Sequence, residues 1–183
     1  AGVTDAVVKA LEKKGVVEYF YREVYRRPKE AEWGAPPEDF TLSDKQREVF
    51  QGLLSLYQEN VPHAALLFGV TGSGKTQVFI ELIRAALKDQ KQVILLVPEI
   101  SLTPQMLQKF RGYFGDDVAV MHSSLSLGER LDEYKRVKSG EAKIVIGTRS
   151  SVFAPAKNLG LIIMDEEGEH SYKSDMTPRY HAR

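Results

Sequence analysis

One run of eight residues, Gly69-Val70-Thr71-Gly72-Ser73-Gly74-Lys75-Thr76, satisfies every position of the pattern G-x-x-x-x-G-K-[ST]. Glycines let a backbone wrap an anion, whose charge is met by free N–H groups and the positive end of the helix that follows. Lys75 adds a mobile cation for β- and γ-phosphates, and Thr76 offers a hydroxyl to Mg²⁺. The plain alternative is a glycine-rich turn that caps a helix and binds nothing. A second signal is the apolar run Leu159–Met164 ending in Asp165-Glu166. A carboxylate at the C-terminal end of a parallel strand faces the ligand crevice. Asp165 is placed to hold Mg²⁺, usually through water, and Glu166 to position or deprotonate an attacking water. Acids also follow strands as solvated turn residues. The two signals together point to binding or hydrolysis of a nucleoside triphosphate, with Lys75, Asp165 and Glu166 as the catalytic set.

These side chains need a strand before the loop and a helix after it. Ala64–Phe68 reads as a short buried strand, and Lys75–Lys88 as a helix with Val78, Phe79, Leu82, Ile83 and Leu87 on one face. From Thr41 onward helix and strand alternate. Ser43–Tyr57 is a helix, and Gln92–Val97, Val118–Met121, Lys143–Gly147 and Leu159–Met164 are strands. Thr103 precedes a helix opening on Pro104, and Ser126-Leu127-Gly128-Glu129 has the spacing of a capping box for Leu127–Lys138. Short apolar strands, each followed by a helix, predict an α/β fold with a parallel sheet covered by helices on both faces.

The first residues differ. Val3–Lys14 has helical spacing with Gly15 as its stop, and Val16–Phe20 and Arg22–Arg26 read as two short strands. Helix plus β-ribbon is the back half of a winged-helix module. The expected organisation is therefore a partial winged helix over residues 1–28, a linker over 29–40 and the α/β lobe over 41–183.

Composition narrows the class. The chain has 183 residues, 43% hydrophobic and 27% charged, the profile of a folded globular protein. Its 25 Lys and Arg balance 25 Asp and Glu, which argues against a protein that coats nucleic acid electrostatically but leaves room for local basic patches. With no cysteine there is no disulfide and no thiolate zinc site, which fits a reducing, cytoplasmic setting. His63, His122 and His181 show no i, i+4 metal spacing. No apolar run approaches membrane-spanning length, and the N-terminus has no basic segment followed by an apolar one. Residue 1 is not Met, and the chain reads as part of something longer.

Further segments carry a resemblance. Pro98-Glu99-Ile100-Ser101-Leu102-Thr103-Pro104-Gln105, His122-Ser123, Gly128-Glu129-Arg130, Gly147-Thr148-Arg149-Ser150, Asp165-Glu166-Glu167 and Pro178-Arg179-Tyr180-His181-Ala182-Arg183 occur in that order. Together they resemble the first RecA-like lobe of the PriA (primosomal protein N′) family of bacterial replication-restart helicases, in helicase superfamily 2. Val7–Gly15 with Glu23–Pro28 resembles the end of that family's winged-helix domain. The resemblance implies an ATP-dependent 3′–5′ DNA helicase using ATP and Mg²⁺, acting on forked or single-stranded DNA with primosome proteins and single-stranded DNA-binding protein, and no membrane. It implies zinc in the family's longer chains, though these residues hold no zinc site.

By the same resemblance Gln46 would read adenine beside the loop of Gly69 to Thr76, although Ser43-Asp44-Lys45-Gln46 is equally a capping box. Pro98–Gln105 and Gly147–Ser150 would touch the DNA backbone, with ordinary capping by Ser101 and Thr103 as the alternative. Arg149 is the stronger candidate, because capping does not need a guanidinium. Tyr172, Lys173, Arg179 and Tyr180, with His181, fall where the family has an aromatic-rich loop linking DNA contact to the ATP site, and tyrosine faces can stack on bases. The family reads Asp-Glu-Glu-His, whereas here Gly168 stands in the histidine's place. If Gly168–His170 is extended, His170 projects to the same side and is expected to assume the coupling role; the alternative is that Gly168 provides a sharp bend and His170 is merely exposed. The competing classes are a small-substrate kinase or other non-helicase NTPase, and a nucleic-acid-binding module without ATP turnover. The first lacks a lid and acceptor pocket here, and the intact Lys75, Thr76, Asp165 and Glu166 argue against the second.

Overall fold

The computed structural model describes residues 4–20, 39–59, 61–175, 177 and 179–183. Among these residues nine α-helices and strands follow in order: α1 (Asp5–Lys13), α2 (Asp44–Gln58), α3 (Lys75–Lys88), β1 (Gln92–Leu96), α4 (Pro104–Phe114), β2 (Val118–Met121), α5 (Leu127–Ser139), β3 (Ile144–Gly147) and β4 (Leu159–Met164). Four parallel strands form one sheet in the order β2-β3-β1-β4. The chain leaves β1 towards β2 on one side and returns by way of β3 to β4 on the other. The C-terminal ends of the adjacent strands β1 and β4 lie side by side, at the end of the sheet where ligands usually bind.

Alternation along β1 divides the core. Val93, Leu95 and Val97 pack with Phe79, Ile80, Ile83, Leu107 and Phe110 of α3 and α4. Ile94 and Leu96 face the other way, against Val137 of α5, Tyr172 and Ala182. Each such buried side chain contributes about 1.5–3 kcal/mol. The second face is therefore covered partly by α5 and partly by residues beyond β4.

Local signals behave as their chemistry requires. Ser43 and Gln46 form a complete capping box on α2, and Ser126 and Glu129 do the same on α5. Thr103 Oγ1 accepts the Met106 N–H 3.2 Å away and caps α4. Helix α1 closes at Gly15 (φ 68°) with Gly15 N–H to Glu12 O and Val16 N–H to Leu11 O, a Schellman pattern.

Two expected strands are not strands. Ala64–Phe68 makes no ladder, and Leu66 and Phe68 are 74% and 91% exposed. Apolar character alone does not make a strand without ladder partners, and this run does not take up the outer edge of β4, which has no strand on it among the described residues. Ile162 of β4 is 49% exposed in consequence. Val16–Phe20 is also irregular. Its expected partner Arg22–Arg26 lies outside the described residues, as does most of the 29–40 linker. Helix α1 buries none of its residues.

Candidate functional site

The loop from Gly69 to Thr76 turns sharply onto α3. Gly72 (φ 81°) and Gly74 (φ 84°) occupy the left-handed region that L side chains avoid. A Cβ on Gly74 would collide with the side chains of Gln46 and Gln77, and one on Gly69 would press on Ser73 Oγ. Ser73 N–H closes a turn on Val70 O at 3.1 Å. Lys75 Nζ donates to Gly69 O at 2.7 Å and to Val70 O at 3.2 Å, so the ammonium folds back on the loop's own carbonyls. These residues fit a phosphate: the loop precedes a 14-residue helix whose N-terminus carries no side-chain cap. A bound phosphate would draw Lys75 off these carbonyls.

Gln46 joins α2 to this loop. Its Oε1 accepts the Ser43 N–H at 2.9 Å, which completes the capping box. Its Nε2 donates to Ser73 O and to Gln77 Oε1, both at 3.0 Å. The capping reading of Gln46 therefore holds, and the same amide also braces the loop of Gly69 to Thr76. Gln77 stood out in no motif; it is simply the third residue of α3, placed opposite Gln46.

Asp165 and Glu166 begin the turn after β4. The Asp165 N–H continues the ladder to Leu96 O at 2.9 Å. Burial first, and then the Glu166 charge, pushes the Asp165 carboxyl above the usual aspartate range. The Glu166 N–H, 3.1 Å from Asp165 Oδ1, and the Lys75 ammonium pull it back. Lys75 and Asp165 are thus near enough to feel each other. Glu166 stands at φ 49°, uncommon for a residue with a side chain and a place where backbone strain is held. Ser101 Oγ donates to Glu166 Oε2 at 3.4 Å. Ser101 does not cap α4, since Thr103 does. Thr76 is half-buried on the first turn of α3. No group of three or more His, Asp or Glu side chains gathers as a metal site among the described residues. A cation at Thr76 and Asp165 would take its remaining oxygens from phosphate and water.

The aromatic-rich segment departs most from expectation. Tyr172 is completely buried, its ring packed in the second core face. It has no free face for a base, which corrects its reading as a stacking residue. Its hydroxyl proton is shared between Asp165 O at 2.6 Å and Leu96 O at 3.1 Å. Arg149 Nη1 donates to the carbonyls of Ser171 at 3.2 Å and Lys173 at 2.8 Å, one on each side of Tyr172. Lys173 pairs with His181 in an antiparallel bridge, and the Ala182 N–H donates to Tyr172 O at 3.0 Å. Tyr180 packs edge-on to Phe153 with ring centroids 5.0 Å apart. Lys173, Arg179 and His181 remain exposed. Gly168 lies in a turn over Asp165–Gly168 and His170 opens a short 3₁₀ turn, so the extended path that would align their side chains is absent.

Comparison with known proteins agrees with this architecture. The family model described as "Type III restriction enzyme, res subunit" matches residues 39–180. The chain is 46% identical over 180 residues to the replication restart protein PriA of Bacillus subtilis, covering 98% of this chain and 22% of that protein. The PriA of Synechocystis is 44% identical over 182 residues, 97% of this chain and 21% of that protein. The PriA of Chlamydia pneumoniae is 38% identical over 184 residues, 100% of this chain and 25% of that protein. The chain therefore spans about a fifth to a quarter of the length of the curated relatives it matches.

Proposed function

The chain belongs to the family of the type III restriction enzyme res subunit, and from that premise we propose that it is the ATP-binding lobe of a DNA helicase acting in replication restart. The observation that carries the reading is the loop of Gly69 to Thr76, with glycines in left-handed conformations, seated at the uncapped N-terminus of the 14-residue α3. The similarity to replication restart proteins supports the choice of a DNA motor over a kinase.

The backbone N–H groups of the loop would hold the β- and γ-phosphates with Lys75, Gln46 would face the adenine, and Thr76 and Asp165 would hold Mg²⁺. The ion supplies charge neutralisation for phosphoryl transfer when bound. Glu166 would orient the attacking water. Arg149, Lys173, Arg179 and Tyr180 form the proposed DNA-facing group, and Gly168 with His170 the region where DNA binding is passed on to the acids. The 3′–5′ direction, the primosome partners and a cytoplasmic location belong to the same proposal. Among the described residues no helix is long and apolar enough to cross a membrane.

These 183 residues would bind ATP yet not separate strands, because such motors complete their site with an arginine from a facing lobe, worth about 10³–10⁵ in rate. DNA binding by the chain alone would be weak and lost with salt, since the formal charge is zero. Steady-state ATPase of the full-length protein, with and without single-stranded DNA, tests the reading. Stimulation that disappears in Asp165→Asn and Glu166→Gln is expected. Hydrolysis indifferent to DNA contradicts the helicase assignment.

A further inference from the structure

Tyr172 is the most deeply buried polar side chain near the acid pair, and the proposed chemistry gives it no part. Its ring belongs to the buried cluster of Ile94, Leu96 and Val137, and its hydroxyl reaches the C-terminal ends of two strands. There it bridges the ends of β1 and β4, reaching Leu96 O at 3.1 Å and Asp165 O at 2.6 Å. A buried hydroxyl without a partner is costly, so the ring position and these bonds specify each other.

The Asp165 carbonyl belongs to the peptide group that joins Asp165 to Glu166. Peptide groups are planar, so holding the oxygen fixes the plane. That plane sets the ψ of Asp165 and the φ of Glu166, and with them the directions in which both carboxylates leave the chain. Glu166 needs such support, because it sits at φ 49°. The turn's other bonds are of two kinds: local ones, Glu166 N–H to Asp165 Oδ1 at 3.1 Å and Glu169 N–H to Glu166 O at 2.9 Å, and longer-range ones from Asp165 N–H to Leu96 O at 2.9 Å, from Ser101 Oγ to Glu166 Oε2 at 3.4 Å and from Arg183 Nη1 to Glu167 Oε2 at 2.7 Å. Tyr172 ties the turn to the core from outside.

Tyr172 is held in turn from the end of β3. Gly147 allows a close pass by Met121 O, which a Cβ would strike, and Arg149 follows two residues later. Its guanidinium grips the carbonyls of Ser171 and Lys173 on either side of Tyr172. A continuous path therefore runs from the Gly147–Ser150 turn through Arg149 and Tyr172 to the Asp165–Glu166 peptide.

We propose that Tyr172 is a positioning residue for the Asp165–Glu166 acid pair, that its hydroxyl sets their peptide plane, and that Arg149 seats it. The proposal rests on the reading of these strand ends as a nucleotide site. Any group that draws the guanidinium away, a phosphate included, loosens Tyr172 and with it the acids.

Tyr172→Phe and Arg149→Ala test this in the full-length protein by two measurements. In the nucleotide-free protein, hydrogen exchange at the Glu166 and Glu167 amides should speed up about fivefold or more in each variant, the worth of one lost hydrogen bond. By calorimetry, ADP affinity should fall about fivefold in Mg²⁺ and stay unchanged in EDTA, a split that general destabilisation does not produce. The double variant should be no worse than Tyr172→Phe, because both act through one path. Unchanged exchange at those amides, or equal losses with and without Mg²⁺, overturns the proposal. If the parent's ADP affinity is itself indifferent to Mg²⁺ while exchange still accelerates in the variants, the nucleotide reading fails and the positioning of the acid pair stands.

Discussion

The hydroxyl of Ser101 donates to the Glu166 carboxylate, Oγ to Oε2, at 3.4 Å. Ser101 closes the 3₁₀ turn after β1 and Glu166 stands in the turn after β4, so the bond crosses between adjacent strand ends. It joins a segment proposed to touch DNA to the residue proposed to orient water. Ser101→Ala should therefore lower DNA-stimulated ATP turnover about fivefold while leaving ADP affinity within about twofold. Steady-state ATPase with and without single-stranded DNA, beside an ADP titration, checks this. Equal turnover in the two proteins would show that the contact does no positioning.

Gly74 and Gly168 should respond in opposite ways. Gly74 combines φ 84° with a collision between any Cβ and Gln46 and Gln77. Gly74→Ala should cost about 1–2 kcal/mol or more and weaken nucleotide binding, through both the left-handed backbone and the displaced glutamines. Gly168 has open space around a built Cβ and no positive φ. Gly168→His should stay within about 0.5 kcal/mol of the parent in chemical denaturation. A large loss at position 168 would mean the turn over Asp165–Gly168 is tighter than described.

Alkaline stability should depend on Tyr172. Burial first, and then the carboxylates of Asp165, Glu166 and Glu169, raises its hydroxyl from the ordinary 10.0. The folded protein keeps this proton where the unfolded chain gives it up. The contribution is complete below the unfolded value and is lost as pH rises from there towards the folded one. Tyr57 is raised too, chiefly by burial with help from Asp89, so some slope remains without Tyr172. Denaturation midpoints measured between about pH 8 and pH 11 should fall less steeply for Tyr172→Phe than for the parent. Parallel slopes would count against the burial of Tyr172.

Glu133 and Arg136 form a buried ion pair at 2.8 Å, with 0% and 3% exposure, that pins α5 to β2. Glu133 Oε2 also accepts the Val120 N–H at 2.9 Å. Arg136→Met should cost about 3–5 kcal/mol, because it strands a buried carboxylate. A loss under about 1 kcal/mol in denaturant unfolding would show that water reaches Glu133.

Much of this was legible in residue types and short spacings. The capping boxes at Ser43 and Ser126, the Thr103-Pro104 helix start and the loop of Gly69 to Thr76 are local devices, fixed within four to eight residues, and sequence carries them directly. The strands of the sheet were legible because buried parallel strands are unbroken apolar runs. The same rule misread Ala64–Phe68, since an apolar run does not say whether a neighbouring strand is there to pair with it. Tyr172 was misread for a related reason. A tyrosine among lysines and serines looks like surface, and only the uncovered Ile94 and Leu96 of β1 explain why its ring is drawn into the core. Arg149 was singled out for a DNA contact, and its bonds to carbonyls 22 and 24 residues away along the chain were not foreseen. Distances of that kind are set by tertiary structure and leave no periodicity to read.

The central claim is that the loop of Gly69 to Thr76 holds the phosphates of a nucleotide with Lys75. Calorimetric titration of ADP and Mg²⁺ into the protein and into Lys75→Ala tests it directly. Lys75 must leave the Gly69 and Val70 carbonyls to meet the phosphate, and losing a charged hydrogen bond of that kind costs about 1.5–3 kcal/mol. Saturable binding that weakens at least about tenfold in the variant, with the unfolding midpoint of the apo-protein little changed, is the predicted result. Equal affinity for the two proteins, or no binding by either, would contradict the assignment.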